Sequence, residues 1–250
     1  MRVLVIAVLI VISACAGTLD RPGFRPQNIG IDLGKFQMLC GKTSVPTLVE
    51  IDYAVGHRPS GYAIEQLERV IHRACGKQAH VAMDVRIDQA LALQDTSPSQ
   101  MQIEALAREH ISLLEEADRN GFHYAYVLYV PYLGDRMVGR GFAKSLLVGH
   151  RLLPFACLAA GNIGDHSLLW VTQRKLEASV LVHEFGHLLG LKLPHRNHCY
   201  RPTCVMYHDA DARFVWGNML QALFLGTLPN DYCENCRRRL ALARRRPAPT

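Results

Sequence analysis

Hydrophobic residues recur with two different spacings in the first half of the chain. In residues 47–53 and 80–87, apolar and polar side chains alternate, which predicts two β-strands. Between them, apolar residues from Ile64 to Ile71 recur at the spacing of one helical face, which predicts a helix over about 62–74. A strand, a helix and a strand in this order are typical of a parallel βαβ unit.

The middle of the chain continues the alternation of helix and strand. A loop through residues 95–98 precedes a second long helix, predicted over about 101–119 and ended by Asn120-Gly121. Residues 124–130 are nearly all apolar, which predicts a strand buried on both faces at the centre of a sheet. A further helix is predicted over residues 212–224.

Residues 183–190 read HEFGHLLG and match the pattern HExxHxxG. The residues before this segment contain neither Gly nor Pro from 176 onward, so a helix through it is expected. On a helix, His183 and His187 lie on one face, where two imidazoles can bind one zinc ion. Glu184 is then placed to act as a general base towards water. Gly190 allows a sharp turn with a positive φ, so that a third ligand can return to the metal.

Four cysteines follow in two close pairs. Cys199 and Cys204 enclose four residues, and Cys233 and Cys236 form a CxxC pair. Four thiolates with this spacing predict a tetrahedral structural zinc site. Two disulfides, or one disulfide and a free pair, are the alternative, because an exported protein forms disulfides.

The HExxHxxG segment, the two cysteine pairs and Met206 after the first pair resemble the archaemetzincin family of zinc metallopeptidases over residues 176–240. The resemblance implies a metzincin-like fold with two zinc ions, one catalytic and one held by the four cysteines. It implies that Glu184 is the base, that three histidines bind the catalytic zinc, and that Met206 lies beneath the metal in a tight turn. Residues 138–143 would form either the edge strand that pairs with an extended substrate in such folds or a simple glycine-rich turn.

The position of the third histidine ligand in the sequence differs from that in the family's pattern. The family has its third His three residues after the Gly and directly before the first Cys, but position 193 of this chain is Leu. His198 stands eight residues after Gly190 and keeps its place beside Cys199. We therefore expect His198 to be the third ligand, with His195 as the competitor.

The two ends of the chain predict export. Met1-Arg2 precedes ten apolar residues, too short a run to span a bilayer but suited to a signal peptide. Residues 12–15 read ISAC and resemble a bacterial lipobox, which implies a lipid anchor on Cys15; cleavage of a plain signal peptide near Ala14 or Ala16 is the alternative. The protein is thus expected in the cell envelope, anchored to a membrane and facing the periplasm or the cell surface.

Charge and the remaining cysteines add two smaller expectations. The formal net charge is +6, and arginines fill residues 237–239 and 244–246. Such a basic end can bind nucleic acid or an anionic membrane surface, or it can simply be solvated; export argues against nucleic acid. Among Cys40, Cys75 and Cys157, one disulfide can form and leave one thiol, or all three stay free.

The predicted organisation is a signal peptide at 1–14, a lipid-anchored tether at 15–44, a catalytic domain at 45–240 and a basic tail at 241–250. The fold class is α/β (α+β), with a mixed twisted sheet, two long helices on one face, and the active-site helix beneath. The expected function is zinc-dependent hydrolysis of peptide bonds in a peptide or protein substrate. The alternative is a non-catalytic zinc-binding envelope lipoprotein, because a remodelled third ligand could hold zinc without an open position.

Overall fold

A mixed sheet forms the centre of the computed structural model, which describes residues 30–41, 45–76, 83–93, 98–133, 141–165, 172–192, 198–199, 201, 203–207 and 228–246. In chain order the elements are β1 (Gly30–Ile31), α1 (Leu33–Cys40), β2 (Thr47–Ala54), α2 (Gly61–Cys75), β3 (Met83–Leu91), α3 (Gln100–His110), α4 (Leu114–Asn120), β4 (His123–Val130), β5 (Gly141–Val148), β6 (Arg151–Ala159), α5 (Ala160–Asp165), α6 (Gln173–Leu188), β7 (Leu191–Lys192) and α7 (Glu234–Arg244). The predicted signal peptide and the predicted helix over 212–224 lie outside the described residues.

The five strands of this sheet lie in the order β3-β2-β4-β6-β5. Strands β3, β2, β4 and β6 are parallel to their neighbours, while β5 runs antiparallel to β6 and lies at the edge of the described sheet. The predicted βαβ unit corresponds to β2, α2 and β3, and the apolar run predicted as a central strand is β4. The α/β fold class and the mixed sheet are confirmed.

The two long helices lie on opposite faces of the sheet, whereas the sequence interpretation put both on one face. Alternate side chains of β4 divide between two cores: Val127 and Tyr129 pack with α1, α2, α6 and α7, and Tyr126 and Leu128 pack with α3 and α4. The strand order explains the difference. The chain steps outward from β2 to β3 and then back past β2 to β4, and right-handed crossovers in opposite directions put their helices on opposite faces.

The helix predicted over 101–119 is interrupted, so that α3 ends at His110 and α4 begins at Leu114. The backbone N–H groups of Ser112 and Leu113 each donate to the carboxylate of Glu50 at 2.9 Å. Glu50 is fully buried in β2, and a buried carboxylate needs several donors. The break therefore supplies those donors.

Strand β6 was not predicted from the sequence, although it pairs with both β4 and β5. Its segment contains Pro154, which lacks an N–H and weakens the strand signal. Pro154 pairs only with Ser145 of β5, because the ladder to β4 begins one residue later at Phe155. The sheet therefore accommodates the proline without losing a hydrogen bond to β4.

The ends of the folded part differ from the predicted boundaries. Residues 30–41, assigned to the tether, form β1 and α1, because Phe36, Leu39 and Cys40 make one buried helical face. At the other end, α7 continues to Arg244, and Ala243 is buried. Among the described residues, no helix is both long and apolar enough to cross a bilayer.

The structure shows the state of Cys40, Cys75 and Cys157, the three described cysteines outside the predicted zinc site. Cys40 and Cys75 form a disulfide that joins these two helices. Cys157 is a buried free thiol in β6. This pairing is one of the alternatives that the sequence left open.

Candidate active site

Helix α6 carries the HExxHxxG segment through the interior of the protein. It begins after Thr172, and most of its side chains are buried between α2 and the sheet. His183 and His187 lie one turn apart on the same face, with ring centroids 5.0 Å apart. The burial of Leu181, Val182 and Phe185 fixes the rotation of the helix and therefore the direction of the two imidazoles.

His198 completes a group of three imidazoles. Its ring centroid lies 5.1 Å from that of His183 and 5.1 Å from that of His187. The Nε2 atoms of His198 and His183 are 3.2 Å apart. Two nitrogens bound to one tetrahedral zinc lie about 3.3 Å apart, so the three side chains fit such an ion. His195, the competitor, lies outside the described residues.

A backbone carbonyl fixes the ring of His183. The Nδ1 of His183 donates to the carbonyl of Val205 at 2.7 Å, which leaves the lone pair of Nε2 available for a metal ion. Burial lowers the pKa of His183 to about 4. Burial, followed by the neighbouring imidazoles, also holds the pKa of His187 well below its usual range. Both rings are therefore neutral at pH 7, the form that binds a metal.

Glu184, the residue after His183, is buried and packs against the edge strand. A side chain at Gly141, the first residue of β5, would meet Glu184 Cγ at 3.1 Å and Oε1 at 3.3 Å. Burial raises the pKa of Glu184 to about 8. A cation bound by the imidazoles would lower it again, because a nearby positive charge favours the carboxylate. The carboxylate of Glu184 thus lies directly against the first residue of β5.

Met206 packs beneath α6 in a turn. A Cβ on Gly186 would lie 2.2 Å from Met206 Sδ, so the glycine permits the close approach of this side chain. The N–H of Tyr207 donates to the carbonyl of Cys204 at 3.0 Å, which closes the turn. Tyr232 packs against the same glycine, and its hydroxyl donates to the carbonyl of Val182 at 3.0 Å.

The four predicted cysteines form a second group. Their Sγ atoms all lie within 4.8 Å of one another, and all four side chains are buried free thiols. The Cys199–Cys233 and Cys204–Cys236 sulfur separations are both 3.8 Å. That value equals the separation of about 3.8 Å for two thiolates on one tetrahedral zinc, and it excludes a disulfide bond between these sulfurs. The donor set therefore fits a structural zinc ion.

The two groups of ligands are joined through adjacent residues. His198 and Cys199 are neighbours in sequence, and the N–H of Cys199 donates to the carbonyl of Met206. Val205, whose carbonyl accepts from His183, follows Cys204 directly. The cysteine group therefore helps to fix the position of the third imidazole.

Sequence reasoning missed several supporting residues. The role of the Val205 carbonyl leaves no trace in a side-chain pattern. Asp32, whose N–H donates to the carbonyl of Gly190 at the end of α6, lies in the segment interpreted as a tether. Tyr232 had a usable signal, since it is an aromatic residue directly before the CxxC pair. Cys15, the predicted lipidation site, lies outside the described residues.

The comparisons with known proteins concern the fold. The chain is similar to the archaemetzincin from Methanopyrus kandleri, with a TM-score of 0.54 and 14% sequence identity, over 81% of this chain and 97% of that one. It also matches metalloproteinase-II from Bacteroides fragilis, with a TM-score of 0.45 and 11% identity, over 80% of this chain and 53% of that one. No protein-family model and no curated protein matches the sequence. The described structure thus has an archaemetzincin-like α/β fold, with a four-cysteine group that could hold a metal ion.

Proposed function

We propose that this protein is a zinc-dependent peptidase whose catalytic zinc is bound by His183, His187 and His198. The observation that carries the proposal is the convergence of the three imidazoles, one of which belongs to the residue directly before Glu184. His187 and His198 are only partly buried, so solvent and a substrate have access to this side of the group. The likeness of the fold to that of an archaemetzincin supports the same conclusion.

Each part of the site has a separate role in the proposed reaction. Zinc held by the imidazoles would supply a Lewis acid that polarises a peptide carbonyl and lowers the pKa of water. Glu184 accepts a proton from the attacking water and returns it to the leaving amine. Strand β5 has a free edge among the described strands and begins beside Glu184, so it can pair with the backbone of an extended peptide. We propose that the four cysteines hold a second, structural zinc ion.

The variant Glu184→Gln tests the role of the base. We expect it to bind as much zinc as the parent protein but to cleave a broad peptide library at least 100-fold more slowly, since general acid–base catalysis contributes about 10²–10⁴-fold. Glu109→Gln, which changes an exposed Glu on α3, is the matched control and should keep full activity. Cleavage by the Glu184 variant at the parent's rate would refute the mechanism.

A non-catalytic zinc-binding protein is the second candidate, because the linker to the third imidazole is longer than the archaemetzincin pattern. Zinc bound at the three histidines without turnover of any peptide would favour this candidate. The identity of the third ligand is tested separately. We expect His198→Ala to lose the zinc at this group and His195→Ala to retain it, and the opposite result would assign the ligand to His195.

We further propose that the protein is exported and anchored to a membrane by a lipid on Cys15. The proposal rests on the lipobox-like residues 12–15, and the disulfide between Cys40 and Cys75 supports export, because disulfides persist in oxidising compartments. Growth with a radiolabelled fatty acid should label the parent protein and not the variant Cys15→Ser. Equal labelling of both would exclude this anchor.

A further inference from the structure

Residues 30–40, here termed the N-terminal clamp, bind the chain directly after the active-site helix. Strand β1 pairs antiparallel with β7, so that Gly30 lies opposite Lys192 and Ile31 opposite Leu191. The N–H of Asp32 donates to the carbonyl of Gly190 at 2.7 Å. The clamp therefore holds the first residues of the linker that leads from α6 to His198.

The contact is close because Gly190 lacks a side chain. Gly190 has a φ of +76°, as the sequence predicted for this turn. A Cβ at this position would lie 2.5 Å from the carbonyl oxygen of Asp32 and 3.2 Å from Lys35 Cβ. The backbone of the clamp thus lies directly on the end of α6.

The clamp is attached to the core independently of the linker. Phe36 and Leu39 are buried, and the carbonyl of Leu39 accepts from Thr47 Oγ1 at 2.9 Å. The disulfide from Cys40 to Cys75 ties the end of the clamp to α2. The linker is therefore held by a rigid part of the fold.

This attachment compensates for the length of the linker from Gly190 to His198, which is longer than in the archaemetzincin pattern. A longer loop costs more entropy to close, which would weaken the hold of its imidazole on a metal. Pairing of β7 with β1 immobilises Leu191 and Lys192, so that only residues 193–197 remain between the held strand and His198. An imidazole that is positioned before the metal arrives binds it with a smaller loss of entropy.

We infer that the N-terminal clamp positions the third ligand, and that Asp32, through its backbone N–H, is a positioning residue for the zinc at His183, His187 and His198. The inference rests on the proposed histidine zinc site. Asp32 acts by restraining the linker that carries one of the three histidines.

A pair of variants at position 32 isolates the critical hydrogen bond. Asp32 has a φ of −75°, which proline also adopts. Asp32→Pro removes the N–H, and its ring carbon takes the place of the hydrogen that points at the Gly190 carbonyl, so the variant breaks this bond and pushes the clamp away from Gly190. Asp32→Ala keeps the N–H but, like the proline variant, loses the side chain that caps α1 and pairs with Lys192. The difference between the two variants therefore reports on the attachment of the clamp to Gly190, with the loss of the Asp32 side chain common to both.

The measurement is zinc affinity by chelator competition, counting only the zinc that is lost when His187 is changed to Ala. We expect Asp32→Pro to bind this zinc at least about fivefold more weakly than Asp32→Ala, because the net loss of one hydrogen bond is worth about that factor and the proline ring also displaces the clamp. Ser99→Ala, which removes the cap of α3 on the opposite face, controls for lower stability and should leave the affinity unchanged. Equal affinity of the two position-32 variants would overturn the inference, whereas no His187-dependent zinc in the parent would overturn the proposed site itself.

Hydrogen exchange in the unmodified chain provides a second test should the proline variant not fold. If pairing of the clamp with the linker raises the affinity for zinc by some factor, then bound zinc must raise the equilibrium constant for that pairing by the same factor. We expect zinc to slow exchange of the Asp32 amide about fivefold in the parent but not in His187→Ala, in which the four cysteines still bind zinc. The internal control is the amide of Ile103 in α3, which donates to the carbonyl of the N-cap residue Ser99. Zinc-independent exchange at Asp32 in a parent that binds zinc at the histidines would refute the clamp.

Discussion

Replacing Gly186 by alanine tests the packing beneath α6, the helix that carries His183 and His187. Gly186 lies between the two histidines of α6, and a Cβ there would lie 2.2 Å from Met206 Sδ and 3.1 Å from Tyr232 Cε1. Non-bonded heavy atoms prefer separations of about 3.5–4.0 Å, so Met206 would have to move by more than 1 Å. Met206 is fully buried, which leaves little room for that movement.

Two opposing effects determine how much Gly186→Ala changes the free energy of unfolding. Alanine is favoured over glycine inside a helix by about 1 kcal/mol, while overpacking a filled core costs about 1–3 kcal/mol. Gly186→Ala should therefore lower the free energy of unfolding by up to about 2 kcal/mol. Met206→Ala alone should cost about 2–5 kcal/mol, because it leaves a cavity. With Met206 truncated, Gly186→Ala should be neutral or stabilising by up to about 1 kcal/mol, which gives a coupling energy of about 1–3 kcal/mol.

The assay is urea unfolding of the parent, both single variants and the double variant at one fixed concentration of free zinc. Zinc must be held constant, because a ligand that binds only the folded state adds to the measured stability. If Gly186→Ala has the same cost with Met206 present and with Met206 truncated, then the close contact does not exist. In that case the account of the turn beneath the metal group would be wrong.

Three further predictions concern the base, the cysteine group and a buried carboxylate. In Gly141→Ala the new Cβ would meet the carbonyl oxygen of Cys157 at 2.9 Å and Glu184 Cγ at 3.1 Å, so β5, Glu184 or both must move. We expect kcat to fall about 10–100-fold at unchanged zinc content, because small misplacements of reacting groups are costly, and unchanged kinetics would show that β5 does not set the position of Glu184. Cys236→Ser should lose one zinc ion per chain on dialysis and lower the urea midpoint, and full zinc retention would argue against a four-thiolate site. Burial raises the pKa of Asp52 to about 6, although Tyr126 and the Gln89 N–H donate to it. Its ionisation is thus disfavoured in the folded state, and stability present below pH 4 is lost as the pH rises through 6. The free energy of unfolding of the parent, relative to that of Asp52→Asn, should fall by up to about 3 kcal/mol across this range, and parallel pH profiles would contradict the burial argument.

Local patterns predicted the parts of the site that depend on neighbours in sequence. The spacing of His183 and His187 determines their shared face on any helix, and a Gly after the helix allows the turn with positive φ at Gly190. The apolar run of β4 predicts a strand buried on both faces, and this strand is the centre of the sheet. These predictions needed no knowledge of contacts between distant segments.

Distant contacts account for what the sequence interpretation missed. The break before Leu114 depends on the carboxylate of Glu50, more than 60 residues away in sequence. The interpretation of residues 30–41 as a tether failed because the burial of Phe36 and Leu39 depends on a partner surface formed by later elements. No periodicity within either segment reports the presence of that partner.

The third imidazole shows how the two kinds of information combine. Counting residues from Gly190 gave no answer, because the linker is longer than the archaemetzincin pattern, but adjacency to Cys199 favoured His198 over His195. The described contacts supply a physical reason for that preference. Cys199 is held by the cysteine group and by its bond to Met206, and the linker is held at its other end by Asp32. With both ends fixed, the linker can vary in length while the imidazole next to Cys199 stays beside His183, so adjacency to an anchored residue is the physical reason to expect His198 as the ligand.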